Sequence, residues 1–271
     1  MGLIQIISDT MNYKFCAKTD TGRARSNNED SVAFDEATQI AVLADGMGGY
    51  NAGEIASGMA TAFIKSELSR WLSEAGEGAK PREIRRAMEI CVDNANLSIY
   101  NAANTNSHYS GMGTTLVVGI FFDDRLMLGH IGDSRCYRLR DGELVQITKD
   151  HSLLQEQIDA GLVSLEQAAT SAIKNLVTRA LGVEEVVLLE VNEFPVQLGD
   201  IYLMCSDGLS DMVDDASIAR IVGAEADLAL KAALLVDTAN ERGGRDNISV
   251  LMAEAIETVE KRGFIARLLG K

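Results

Sequence analysis

LVVGIFF-DD-RLMLGHI (Leu116–Ile131) and CYRLR-DG-ELVQI (Cys136–Ile147) follow one another near the middle of the chain. Each is a pair of apolar runs of strand length separated by two polar residues, and Asp141-Gly142 is a favoured pair for a two-residue hairpin turn. Strands joined by such turns run antiparallel. An antiparallel sheet is therefore predicted at the centre of the chain. Outward from it, IAVLA (Ile40–Ala44), DIYLMCS (Asp200–Ser206) and NISVLMAEA (Asn247–Ala255) read as further strands.

Helical periodicity brackets these strands. On the N-terminal side, AGEIASGMATAFIKSELSRWLSEA places Ile55, Met59, Phe63, Leu68 and Leu72 near helical spacing, after a capped start at Asn51-Ala-Gly-Glu54. A glycine-rich break at Gly76–Lys80 ends that helix. Pro81 suits the first turn of a second one, with Ile84, Met88, Cys91, Val92, Ala95 and Ile99 on its apolar face. Two helices joined by a short polar break pack as an antiparallel pair, here over one face of a sheet. Residues 150–182 read as a surface flap of short helical pieces. ALKAALLVDTANERGG (Ala229–Gly244) reads as a later amphipathic helix ending at glycines. The fold class is α+β, without the regular βαβ alternation of a doubly wound sheet.

Composition narrows the function. The 271 residues carry 25 Lys and Arg against 40 Asp and Glu, a formal charge of −15, which argues against nucleic acid as a partner. The apolar runs fall far short of the roughly 18–20 residues that span a bilayer. The N-terminus lacks a basic leader, and Ile6 stands where a myristoylation signal wants Ser or Thr. Cys16, Cys91, Cys136 and Cys205 show no paired spacing and are expected as free, buried thiols in a reducing compartment. A cytoplasmic location follows as the expectation. The segment 258–271 is basic and amphipathic, against the trend of the chain.

The positions of four aspartates carry the chemistry. Asp45 follows IAVLA and opens DGMGG, Asp133 follows LMLGHI in GDS, Asp207 follows IYLMCS in DGL, and Asp246 precedes ISVLMA in GRDN. Any one of them could be a turn residue. Four brought together from separate strand ends would repel one another unless a cation lay between them. Oxygen ligands alone imply a hard cation, Mg²⁺ or Mn²⁺. In GRARSNNED (Gly22–Asp30), Arg25 adds a planar guanidinium that matches phosphate oxygens.

RSNNED, VLADGMGGYNAGEIAS, SGMGTTL, GHIGDSRCYRL, LVTRALG, YLMCSDGLSDMV and GGRDNISVLM occur in the order and spacing of the metal-dependent protein Ser/Thr phosphatases. Between Tyr13 and Glu257 the chain resembles the protein phosphatase 2C-like (PPM) family in its bacterial form. The resemblance implies a four-layer αββα sandwich of two antiparallel sheets flanked by helix pairs, one domain over residues 13–257. It implies a dinuclear Mn²⁺ or Mg²⁺ centre in which Asp45 bridges two metals, with the Gly46 carbonyl on one and Asp207 and Asp246 on the other. Asp133, with Asp207, resembles the ligands of a third, weaker metal. Glu29 and Asp30 would hold metal-bound waters, Asp211 is an acid one step further out, and Arg25 would bind the substrate phosphate.

By the same resemblance, the two ions share a water whose hydroxide attacks phosphorus in line, without a phosphoenzyme. Met47 stands in DGMGG where eukaryotic members carry a histidine, so the general acid has no assigned side chain. His108, His130 and His151 fall outside that motif position and read as structural. Ser171-Ala172 occupies the flap position where bacterial relatives often carry His-Pro. The expected partners are phosphorylated proteins, a Ser/Thr kinase and its substrates among them, acted on by a monomer. The competing reading is a non-catalytic scaffold or sensor of the same fold that binds phosphoproteins; its mark would be lost metal ligands, and none is lost.

Overall fold

The computed structural model describes residues 11–49, 52–164, 167 and 176–257. The expected cap at Asn51, the Ser171-Ala172 position, the Ile6 position and the basic segment 258–271 lie outside the described residues.

The two central hairpins form as predicted but belong to different sheets. One five-stranded antiparallel sheet has the order β1 (Met11–Asp20), β11 (Ile248–Glu257), β10 (Ile201–Cys205), β7 (Arg135–Arg140), β8 (Glu143–Gln146). The other runs β2 (Asp30–Asp35), β3 (Ile40–Met47), β5 (Leu116–Phe122), β6 (Arg125–Ile131), β9 (Glu190–Pro195), with β4 (Gly113–Thr114) paired to the end of β3. The chain crosses between them at Gly132-Asp133-Ser134. The tight turns use the left-handed region at Asp123 (φ 47°), Asp141 (φ 51°) and Gly142 (φ 81°), as two-residue hairpins require.

Helices cover both outer faces. α1 (Ala52–Ala75) and α2 (Pro81–Thr105) lie on the second sheet. α3 (Leu153–Asp159) opens the 150–182 segment, and α4 (Asp207–Ser210), α5 (Asp215–Val222) and α6 (Leu228–Glu241) belong to the other side, where the last two cover the first sheet. Among the described residues three apolar cores fill the spaces between layers: Ile64, Met88 and Val118 under α1 and α2; Phe121, Tyr202 and Leu251 between the sheets; Leu203, Leu235 and Val250 under α5 and α6. This is an αββα sandwich. Among the described residues no helix is long and apolar enough to cross a membrane.

The apolar face of α2 is the one its periodicity predicts. α1 differs. Its buried stripe is Ala52, Ala56, Ala60, Ile64 and Leu68 with Gly53, Ser57 and Thr61, whereas Ile55 is 37% exposed. Met59, Phe63 and Leu72 sit half-buried at the flank of the core. Small side chains let α1 approach closely enough for Ser57 Oγ to donate to the Glu29 carbonyl at 2.6 Å and for Thr61 Oγ1 to meet Ser31 Oγ at 2.7 Å. Among the cysteines, Cys91, Cys136 and Cys205 are buried free thiols and Cys16 is half-buried.

Candidate active site

The four aspartates arrive at one end of the sandwich by four different routes. Asp45 sits near the end of β3, and its backbone is fully engaged. Its N–H donates to Thr115 Oγ1 at 3.0 Å, and its carbonyl accepts from the Thr115 N–H at 2.8 Å and Thr114 Oγ1 at 2.9 Å. Thr115 Oγ1 in turn meets Ser134 Oγ at 2.7 Å, which ties the β3 end to the crossing turn that carries Asp133. Asp207 heads α4, directly after the buried β10. Asp246 lies just before β11, with its Oδ1 accepting from the Asn247 N–H at 2.8 Å.

Two glycines permit this convergence. A Cβ at Gly208 would stand 1.9 Å from the Asn247 carbonyl oxygen, and one at Gly22 (φ +78°) would stand 2.1 Å from the Asp246 carbonyl oxygen. The loop holding Arg25 is stitched to the loop holding Asp246, since the Gly244 carbonyl accepts from the N–H groups of Arg23 and Ala24 at 2.7 and 3.1 Å. Arg25 Nη2 donates to Asp246 Oδ2 at 2.7 Å across the mouth.

Together these residues enclose a cleft of about 290 Å³. Arg25, Glu29, Asp45, Gly46, Asp133, Asp207 and Asp246 all line it. Asp30 and Asp211 do not. Asp30 is buried behind Asp45, its cross-strand partner, with Oδ2 accepting from Ser206 Oγ at 2.7 Å. Asp211 lies one turn beyond Asp207, and its N–H donates to the Asp207 carbonyl at 2.8 Å. A larger cavity of about 540 Å³, lined by Thr178–Ala180, Val183, Glu184 and Val186–Leu188, has Glu184 as its one acid among the described residues.

The carboxylates resist ionising in this arrangement. Burial, with the charges of Asp133, Asp211 and Asp246, pushes Asp207 up to about 8. Burial, with Asp150 next, pushes Asp133 up to about 6. Asp30 is likewise raised to about 6, chiefly by burial. Asp45 is held well above the usual carboxylate range by burial and then by Asp30, Asp207 and Asp133. Asp30 Oδ1 is buried with no hydrogen-bond partner. An all-oxygen donor set that repels itself, beside an orphaned buried oxygen, fits hard divalent cations.

Several residues that build the cleft did not stand out in the sequence. Asn247 is buried, and its amide accepts from the Glu29 N–H at 2.8 Å while donating to the Thr21 and Asn27 carbonyls at 2.9 Å each. Thr115, Ser134 and Ser206 act similarly. For Ser134, Ser206 and Asn247 the sequence signal is a small polar residue beside an acid at a strand end, and Thr115 lacks even that.

A model of the protein phosphatase 2C family matches residues 21–236. Serine/threonine phosphatase stp of Listeria innocua is 37% identical over 240 residues, 88% of this chain and 94% of that protein. The crystal structure of the Mycobacterium tuberculosis serine/threonine phosphatase PstP/Ppp superimposes with a TM-score of 0.83 at 37% identity, covering 91% of this chain and 99% of that one. A structure of the PstP catalytic domain in complex with two manganese ions gives a TM-score of 0.80 at 37% identity, covering 92% and 100%.

Proposed function

Because this chain belongs to the protein phosphatase 2C family, we propose that its acidic cleft hydrolyses phosphoserine and phosphothreonine on proteins. The chain is a metal-dependent protein serine/threonine phosphatase, and the finer assignments below are our reading of its site. The observation that carries them is the convergence of Asp45, Asp133, Asp207 and Asp246 on one cleft with Arg25 at its mouth.

Asp45, the Gly46 carbonyl, Asp207 and Asp246 would hold two divalent cations, Mn²⁺ or Mg²⁺, and Asp133 with Asp207 a third. When bound, such cations place positive charge against phosphoryl oxygens and lower the pKa of water toward neutrality. Of the two acids expected around metal-bound water, Glu29 lines the cleft and would accept hydrogen bonds from that water, whereas Asp30 lies buried behind Asp45. The Arg25 guanidinium, half-exposed and held by Asp246, presents its fork to an incoming phosphate. Met47 lines the cleft but its thioether has no proton to give, and neither His130 nor His151 lines it. Protonation of the leaving alkoxide is therefore left to water.

Residues 13–257 act as one catalytic unit on this reading, acting as a monomer in the cytoplasm on phosphorylated proteins and so reversing a Ser/Thr kinase. The formal charge of −15 favours substrates with basic residues flanking the phosphosite. The test is hydrolysis of a phosphothreonine peptide by EDTA-treated protein titrated with Mn²⁺, with Arg25→Ala alongside. Turnover restored by Mn²⁺, with KM raised about tenfold in the variant by loss of roughly 1.4 kcal/mol of phosphate binding, is the expected result. A folded protein inactive at every Mn²⁺ and Mg²⁺ concentration would promote the scaffold reading.

A further inference from the structure

The crossing turn between the sheets has to deliver Asp133 to the cleft, and one distant residue holds it. Gly132 adopts φ +101°, and a Cβ there would meet Thr115 Cγ2 at 2.7 Å. Both backbone polar groups of Gly132 end on His151. The Gly132 N–H donates to His151 Nδ1 at 3.1 Å, and the Gly132 carbonyl accepts from the His151 N–H at 2.9 Å. Those groups belong to the two peptide planes flanking Gly132, so a single residue fixes the backbone leading into Asp133. We propose that His151 is a positioning residue that sets Asp133 in the cleft through Gly132, with Glu190 selecting the imidazole tautomer that does so; the proposal rests on the phosphatase reading above.

The tautomer follows from donor and acceptor identity. A backbone N–H cannot accept, so Nδ1 is bare and the neutral ring carries its proton on Nε2. Nε2 lies 3.3 Å from Glu190 Oε2, which accepts that proton's hydrogen bond. Arg179 Nη1 also stands 3.4 Å from Nε2, donor facing donor, and makes no hydrogen bond to it in this tautomer. His130 stacks on His151 with ring centroids 4.6 Å apart and planes 14° from parallel, and its own Nε2–H donates to the Lys149 carbonyl at 2.8 Å. His130 and Glu190 are cross-strand partners on β6 and β9. The stack and the carboxylate hold the His151 ring in place beneath the turn.

A second use of the same three side chains is excluded on the same grounds. His130, His151 and Glu190 bring one ligand atom each within 4.8 Å of one another, a spacing that would suit a metal ion. With Nδ1 occupied by the Gly132 N–H, a metal on Nε2 would need a ring stripped of both protons. The hydrogen bonds therefore assign the cluster to positioning.

The experiment has four arms. Ring ¹⁵N spectra of the full chain should show His151 as the Nε2–H tautomer, with a slowly exchanging Gly132 amide. His151→Phe, which keeps the stack and removes the acceptor, should speed Gly132 exchange, weaken the weakest Mn²⁺ site and lower kcat/KM on a phosphothreonine peptide at least tenfold. His151→Asn, whose Oδ1 can take the place of Nδ1, should stay within about threefold of the parent. In an Asp133→Asn background His151→Phe should cost less than a further twofold, because its route to the cleft is already cut. An Nδ1–H tautomer, equal losses in the Asn and Phe variants, an undiminished loss in the Asp133→Asn background, or Zn²⁺ binding at the cluster would each overturn the proposal. Should His151→Phe fail to fold, Glu190→Leu on a half-exposed side chain takes its place, and must shift the tautomer and speed Gly132 exchange. A parent chain that hydrolyses nothing would sink the phosphatase reading, while the tautomer and the Gly132 exchange rate would still judge the clamp.

Discussion

Asn247→Ala removes one amide and leaves three backbone groups without their partner. Glu29 loses the acceptor of its N–H, and Thr21 and Asn27 lose the donors to their carbonyls. Each such bond contributes about 0.5–1.5 kcal/mol net, so the set is worth roughly 1.5–4.5 kcal/mol. Glu29, Thr21 and Asn27 are only half-buried, and water can reach part of what is lost, which places the expected cost at about 2–3 kcal/mol. Against a total stability of about 5–15 kcal/mol the fold survives. At about 2–4 °C per kcal/mol for a domain of this size, Tm should fall by roughly 4–12 °C. The three groups all lie in the segment that carries Arg25 and Glu29, so kcat/KM on a phosphothreonine peptide should fall at least tenfold, more through KM than kcat. Asn247→Asp should be worse, because it keeps one acceptor, loses both donors and adds a charge to an acidic cleft. Thermal melts and steady-state kinetics of the two variants decide it. A Tm within about 2 °C of the parent together with unchanged kinetics would refute the claim that Asn247 organises the phosphate-binding loop.

Other outcomes follow from the same geometry. Gly208→Ala drives a Cβ to 1.9 Å from the Asn247 carbonyl, so Asp207 or Asn247 must move; a loss of activity with about 1–3 kcal/mol of stability is expected in melts and peptide assays. Ala56→Leu on the buried stripe of α1 should destabilise by a similar amount through overpacking, whereas Ile55→Ala on the exposed face should stay within about 0.5 kcal/mol by denaturant titration. Without metal, the fold keeps protons on Asp207 up to about pH 8 and on Asp30 and Asp133 up to about 6, whereas these groups ionise near 3.8 in the unfolded chain. The folded state then binds the extra protons, so stability should fall as pH rises from about 4 to 8. Saturating Mn²⁺ should flatten or reverse that slope in melts across the range.

Much of this molecule is legible in one dimension because its signals are local. The Asp141-Gly142 turn, the spacing of Ile84, Met88 and Ile99 on α2, and the acids at the ends of apolar runs depend on residues close in sequence. What stays hidden depends on partners far away. Hydrophobic spacing ranks α1 by side-chain size and picks Ile55, Met59 and Phe63, while close approach to β2 and β3 selects the alanines. A two-residue turn predicts a hairpin but not the sheet it joins, so the crossing at Gly132 comes only with the fold. Asn247 looks like a neighbour of Asp246, yet its partners Thr21, Asn27 and Glu29 lie more than two hundred residues away. His151 reads as an ordinary core histidine until the hydrogen bonds to Gly132 are on view.

The central claim is that the carboxylates of Asp45, Asp207 and Asp246 form a cation site, and calorimetric titration of Mn²⁺ into EDTA-stripped protein tests it most directly. Two equivalents bound by the parent chain, with protons released near neutral pH and at least one equivalent lost in folded Asp207→Asn, is the predicted result. Absence of binding by the folded parent, or equal stoichiometry and affinity in Asp207→Asn, would contradict it.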